Sequence, residues 1–428
     1  MTGKVGFYLF AASLLLSTST ASVALGLMGV AFFCQLPIFW LVIRKEPILW
    51  LGLLFFPYLV CRMMTEIMTN PAETTMQLDA SWAWMSMWAF IIISWWTENR
   101  SDMIYKALFL ALVGFLVRIG YDLLFEVSPG EIGLFFQGIR TGLNYSVNAA
   151  GLYTATAIWG LVLMSPRFFQ IKSSFALREG GIFIWIAGMI VMLHFCFITQ
   201  SLSAMFSLAV VLMIMLPAGY MLSKKRRQGL GPKKTWLCTA CVAAVLILTS
   251  IFLGDKIINR AVVESNTLFS IISPERQNIP KTALGLRFDM LCLGGAKFLQ
   301  KPLTGWGPGT SIIHLFAQGE GYDHIRHYPH LHNTYLIVLV RLGVIGALFY
   351  FLGTCFYVRS LIRSYRSQLM PGILLFFFCG VSLLILLSSL ASFHITDVDF
   401  RFYWLLLAGL AYSPHFNRNY MKYQLMRI

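Results

Sequence analysis

Hydrophobic runs of membrane-spanning length recur along this chain, separated by short polar gaps. They fall at 5–18, 20–43, 47–63, 80–97, 105–126, 143–165, 181–199, 202–222, 236–254, 334–357, 372–391 and 402–413. A helix needs about 20 apolar residues to cross a bilayer core, and most of these runs meet or approach that length. A membrane β-barrel would show short alternating segments instead, and these are absent. The pattern predicts an all-α polytopic membrane protein with about twelve transmembrane helices. The first run is a poor cleaved signal, so it is expected to be retained. Residues 5–43 read as two helices, with Ser17–Ser22 as the turn between them or part of a helix.

Composition agrees, since 58% of residues are hydrophobic and only 12% are charged. The net charge of +15 changes the picture only through its placement. Basic residues cluster at Arg44-Lys45, Arg100–Lys106, Arg167–Arg178, Lys224–Lys234 and Arg359–Arg366, with Arg418, Lys422 and Arg427 in the tail. With twelve spans and an inside N-terminus, every cluster falls on the cytoplasmic side, as the positive-inside rule requires. The basic patches therefore read as topology anchors, and no nucleic-acid partner is implied. Seven of the eight cysteines lie in or near apolar runs, and none forms a disulfide or metal-ligand framework. Cys238 and Cys241 have C-x-x-C spacing, but at the start of an apolar run, where packing explains them.

One large segment, Asp255–Asn333, is left on the outer side. It carries five of the eight histidines and most of the remaining polarity. The chain thus divides into a transmembrane bundle at 1–254, an outer loop at 255–333 and a C-terminal transmembrane part at 334–428. Within the loop, 284–300 reads as a helix lying on or dipping into the membrane surface, with Arg287 near the headgroups. KPLTGWGPGT, residues 301–310, is a rigid turn. Its Gly305, Gly307 and Gly309 would allow close backbone approach to a ligand, or simply form an ordinary turn at the surface.

The histidine-rich stretch HYPHLHN, His327 to Asn333, runs directly into an apolar span. Histidine suits proton transfer near neutral pH. His324, His327, His330 and His332 also invite a metal reading, but only Asp323 is close in sequence, and H-x-H alone is a weak signal. Arg287, Arg326 and Arg140 are the candidate anion binders, because guanidinium offers phosphate a planar fork of donors. Asn148 lies in the span that follows Arg140. Arg118 falls inside a predicted span, which points to a function, and a structural partner or a misplaced span boundary explains it equally well. Asp397, Asp399 and Arg401 read as a structural ion-pair network.

The stretches RFDMLCLGGAKFLQKPLTGWGPGT and HLHNTYLIVLVRLGVIGAL resemble the signature region of the bacterial O-antigen ligase and polymerase superfamily. The matching positions are Arg287, Pro302 to Gly309, His332-Asn333 and Leu342-Gly343 to Gly346. RTGLNYSVNAAGLY, with Asn148, resembles another family segment. The chain departs from the family's T-x-S-R-x-A motif, having Leu202 where an arginine is usual; Arg140 is the preferred substitute.

The resemblance implies a GT-C-like fold in the bacterial inner membrane, with the active site facing the periplasm. It implies an inverting, metal-independent glycosyltransferase without a cofactor. The donor would be a glycan on undecaprenyl pyrophosphate, and the acceptor a sugar hydroxyl of lipid A-core. His332 would activate that hydroxyl. Arg287, with Arg140 or Arg326, would hold the pyrophosphate, and His330, Asn333 and the glycines would line the substrate site. An O-antigen polymerase, whose acceptor is a second lipid-linked repeat unit, remains the alternative. A secondary transporter would require an internal repeat and midplane polar groups, which the sequence does not display.

Overall fold

The computed structural model describes residues 2–69, 77–98, 100–127, 140–169, 175–225, 258–259, 262–273, 279–309, 322–328, 330–395 and 397–425. Their regular structure is helical, joined by turns and coil, and no β-strand occurs among them. In chain order the α-helices are α1 (Thr2–Ser13), α2 (Thr18–Cys34), α3 (Leu36–Ile43), α4 (Pro47–Thr69), α5 (Gln77–Trp88), α6 (Phe90–Trp96) and α7 (Ser101–Tyr121). There follow α8 (Val147–Phe169), α9 (Phe175–Thr199), α10 (Leu202–Lys225), α11 (Val262–Ile272) and α12 (Ala283–Gln300). The last three are α13 (Thr334–Arg366), α14 (Gly372–Ser388) and α15 (Val398–Leu425). Among the described residues, six helical stretches are long and apolar enough to cross a membrane. The protein is an all-α polytopic membrane protein. The predicted run at 236–254, with Cys238 and Cys241, lies outside the described residues.

Helices occupy the other predicted runs, with instructive differences. The run at 20–43 is two helices, not one. Pro37 has no N–H to donate back to Phe33, and the chain breaks at Gln35. Ser17 caps α2, its side chain accepting from Thr20 N at 3.3 Å. The run at 80–97 breaks at Ala89 between α5 and α6. The last run extends to Leu425. The segment read as one long outer loop contains α11 and α12, the second covering the expected 284–300 almost residue for residue.

Two units divide the chain. The first comprises Met1–Val117, Leu286–Pro371 and Ser389–Ile428. Inside it α1 packs on α2, α15 on α6, and α13 on both α4 and α15. Several of its buried polar groups find partners: Ser94 Oγ donates to Gly409 O at 2.8 Å, and Asn417 donates to Ser94 O at 3.1 Å. Glu46, fully buried, accepts from Tyr412 and from Asn419, the latter at 2.8 Å. Such pairing is what burial of polar atoms demands.

The second unit comprises Arg118–Gly285 and Gly372–Ser388. Here α8 packs on α9, α10 and α14. Two buried indoles tie it together, Trp159 Nε1 donating to Phe377 O at 3.2 Å and Trp185 Nε1 to Leu161 O at 2.9 Å. Of the alternatives for Arg118, the structure shows a structural partner. It pairs with buried Asp122 at 2.8 Å and with Glu126 at 3.6 Å, in the π-helical turn Asp122–Glu126 that continues α7. Asn144 donates to the same Asp122 at 2.9 Å.

Candidate functional site

The histidine stretch folds onto a small core of its own in the first unit. Met290 and Leu293 of α12 meet Ile325, Leu331, Leu336, Ile337, Val340 and Phe393, all buried. The α12 contribution follows helical spacing, Leu286, Met290 and Leu293 sharing one face. At Gly294 the helix comes so close to α13 that an added Cβ would lie 2.5 Å from Leu336 Cδ2. This packing fixes 322–333 between α12 and the start of α13.

Asn333 then starts α13. Its Oδ1 accepts from Leu336 N at 2.9 Å, a helix N-cap, while its Nδ2 donates to Leu390 O at 3.0 Å. Thr334 adds two bonds to the 389–395 segment, N to Ser389 O at 2.9 Å and Oγ1 to Ser392 O at 2.8 Å. One residue before the cap, His332 has φ +50°, in the left-handed region that an L side chain rarely adopts. The turn sets its ring against His330, with centroids 4.5 Å apart, and edge-on to Tyr328 at 5.7 Å. His330 in turn packs on Phe393 at 5.3 Å, and Arg341 lies over the other neighbourhood of that ring at 5.7 Å.

Both imidazoles are kept neutral. Burial, then the neighbouring His330, Arg287 and His394 push the His332 pKa down to about 3. Burial pushes His330 down to about 4; Asp397 opposes this and Arg341 adds to it. Among the described residues, buried His332 Nδ1 has no hydrogen-bond partner. Asp397 approaches His394 Nδ1 at 3.5 Å, and Arg401 Nε donates to Ile395 O at 3.0 Å. His324 does not join His332; its Nε2 is 2.7 Å from Asp289 of α12. Arg326 and His327 are exposed. Among the described residues no group of three or more His, Cys, Asp or Glu is arranged to hold a metal ion.

The glycine turn lies against the α13 backbone, where the sequence suggested a ligand. At Gly343 α13 breaks, with φ +65° and ψ −172°. The sequence pattern predicted an uninterrupted run here. Residues 302–307 enter the break and satisfy it. Val340 O and Arg341 O accept from Trp306 N and Gly307 N, both at 2.8 Å. Val344 N and Ile345 N donate to Pro302 O at 2.9 Å and Leu303 O at 3.2 Å. Only glycine fits at Gly305, with φ +67°, where a Cβ would be 2.4 Å from Arg341 O.

From α4 a row of polar side chains at i, i+4 and i+8 clasps this junction. Tyr58 donates to Leu342 O and, at 3.3 Å, to Thr304 O. Arg62 donates to Gly305 O at 2.6 Å. Buried Glu66 accepts from Gly309 N at 3.3 Å. The sequence reading singled out none of Tyr58, Arg62 and Glu66 as site residues, nor Arg341. The signal was available, since ionisable residues inside an apolar run are costly and rarely idle.

Arg287, Arg326, His330, His332, Asn333 and the three glycines all belong to the first unit, while Arg140 and Asn148 belong to the second. Arg140 is exposed, ahead of the turn in which Thr141 N donates to Ile198 O at 3.3 Å. Asn148 accepts from Ser201 Oγ at 3.1 Å, next to Leu202.

Curated proteins offer no match to the chain. The family model described as O-antigen ligase matches residues 187–351, a stretch that holds Arg287, the glycine turn, both histidines and the break in α13. That match, over residues 187–351, supports assignment to the O-antigen ligase and polymerase superfamily and an enzymatic activity of ligase type.

Proposed function

We propose that the protein is an inverting, metal-independent glycosyltransferase of the inner membrane. It moves an O-antigen glycan from undecaprenyl pyrophosphate to a sugar hydroxyl of lipid A-core. We further propose a GT-C-like bundle of about twelve spans, with segment 255–333 on the periplasmic side as the substrate-binding part. The single observation that carries this reading is His332, a neutral and partly buried imidazole within the electrostatic reach of Arg287.

In this mechanism His332 accepts the proton of the acceptor hydroxyl. The hydroxyl oxygen bonds to the anomeric carbon from the face opposite the leaving group. The bond from that carbon to the diphosphate oxygen breaks, and undecaprenyl pyrophosphate departs. Arg287 stabilises charge on the departing diphosphate, which is where a preorganised cation contributes most. Arg140 or Arg326 supplies the second cation, with Arg140 standing in for the arginine replaced by Leu202. His330 and Asn333 hold the His332 turn, and Gly305, Gly307 and Gly309 shape the site through the α13 break. Asn148 belongs to the substrate-binding set on resemblance alone.

The test uses purified protein with lipid-linked glycan and lipid A-core in the presence of EDTA. Wild type is compared with His332→Ala and Arg287→Ala, each checked for folding. Transfer to lipid A-core that disappears in both variants supports the proposal. Longer lipid-linked chains without transfer to core would make the enzyme a polymerase. Activity abolished by EDTA and restored by a divalent cation would overturn the metal-independent mechanism.

A further inference from the structure

A second polar feature lies at the far end of α13. The helix runs 33 residues from Thr334 to Arg366. The apolar run of 334–357 is long enough to cross a hydrocarbon layer, so α13, broken at Gly343, leaves the bilayer ahead of its Arg359–Arg366 end. There a cavity of about 640 Å³ opens, and Val358, Arg359, Ile362, Arg363, Arg366 and Arg418 contribute to its wall. The α13 residues recur at helical spacing and so share a face, apolar toward the bilayer and basic beyond it. Arg418 enters from α15 and is steadied by donating to Ser367 Oγ at 2.6 Å. Among the described residues, none of these four arginines forms an ion pair with a carboxylate.

Basic residues at a span end satisfy topology, and one cation suits the half-charge of a helix C-terminus. Neither effect gathers four guanidinium groups from two helices around one cavity. That arrangement is self-repelling unless an anion sits in it. A phosphate accepts from several guanidinium forks at once. The neighbouring Val358 and Ile362 are 43% and 44% exposed, which suits an acyl chain and not a free ion.

We propose that this cavity binds the phosphate headgroup of an anionic phospholipid, at the membrane face opposite the His332 cluster. The site is separate from glycan transfer and does not depend on that reading.

The test titrates full-length protein in detergent with phosphatidylglycerol, phosphatidylcholine and glycerol 3-phosphate, reading bound lipid by native mass spectrometry. Wild type should bind phosphatidylglycerol saturably. The Arg363→Ala/Arg418→Ala variant should bind about 25-fold more weakly, at about fivefold per arginine. Arg359→Ala, an exposed single change, should weaken binding about fivefold and serves if the double variant fails to fold. Arg44→Ala/Lys45→Ala, an exposed basic pair elsewhere, should leave binding unchanged. Equal loss in that control, or equal affinity for phosphatidylcholine, would overturn the proposal. Tight binding of glycerol 3-phosphate that displaces the lipid would make this a soluble-anion site and overturn it as well.

Discussion

Replacing Gly343 by alanine should loosen the whole first unit. Its φ of +65° and ψ of −172° lie in a region that is essentially reserved for glycine. An alanine held there costs about 1–3 kcal/mol in backbone strain. Its Cβ would also lie 2.2 Å from Leu303 O and 2.6 Å from Thr304 N. Both are backbone atoms, so the turn must withdraw by about 1 Å to reach ordinary contact. Withdrawal threatens the four N–H···O bonds that join the turn to α13. Each contributes about 1 kcal/mol, and more if its buried groups are left unpaired. Losing even two of them brings the total to roughly 3–5 kcal/mol. The assay is thermal unfolding in detergent followed by tryptophan fluorescence, which reports on the chain's twelve tryptophans together. Gly295→Ala is the matched control. Nothing lies within 4 Å of its Cβ position on α12, so that change should be neutral or stabilising. A Gly343→Ala protein that melts with the wild type would refute the account of the break.

His332→Gly should be more stable than His332→Ala by about 1 kcal/mol, because only the first relieves the left-handed backbone; the reverse order of melting temperatures would mean that this conformation is not held. With His332 and His330 lowered to about 3 and about 4, unfolded imidazoles take up protons below their usual 6.5 while folded ones do not. Stability should therefore be flat above pH 7 and fall as the pH drops from 6.5 toward 4, by on the order of 2 kcal/mol per ring at pH 5. A His330→Gln/His332→Gln protein should show a shallower fall in a pH series of melting curves. Asn333→Ala should cost about 1 kcal/mol by removing the cap of α13, and Asn333→Asp should recover most of it, since aspartate caps equally well; melting curves of the pair check this. Arg118→Met strands the buried Asp122 carboxylate and should cost about 3–5 kcal/mol in chemical denaturation, with Arg118→Lys intermediate.

The helices were legible because their pattern is local. α12 was expected at 284–300 and runs Ala283–Gln300, since Pro280 and the glycine turn punctuate an amphipathic stretch on both sides. The break at Gly343 was not legible. Its cause is backbone from Pro302 to Gly307, some forty residues earlier, and a window centred on the apolar run registers only one tolerated glycine. His332 was flagged as chemistry, but its environment was not. The 389–395 segment that holds it, with Phe393 and His394, joins it only in three dimensions. The row Tyr58, Arg62 and Glu66 was visible as helical spacing, yet it has no meaning until the turn it clasps is in place.

A depressed imidazole makes a poor base in an empty site. At a pKa of about 3, His332 is neutral at any physiological pH but has little appetite for a proton. After burial, its neighbours His330 and Arg287 contribute most to that depression. Of the two, only the Arg287 charge would be offset by an arriving diphosphate. In the proposed mechanism an anionic donor beside Arg287 would therefore raise the basicity of His332, while a sugar acceptor, being neutral at its hydroxyl, would not. Donor binding would thus remove one of the causes that lower the His332 pKa, while burial, the largest of them, remains. The Asn333 cap and the glycine turn hold the first turns of α13, beside the residue proposed as the base.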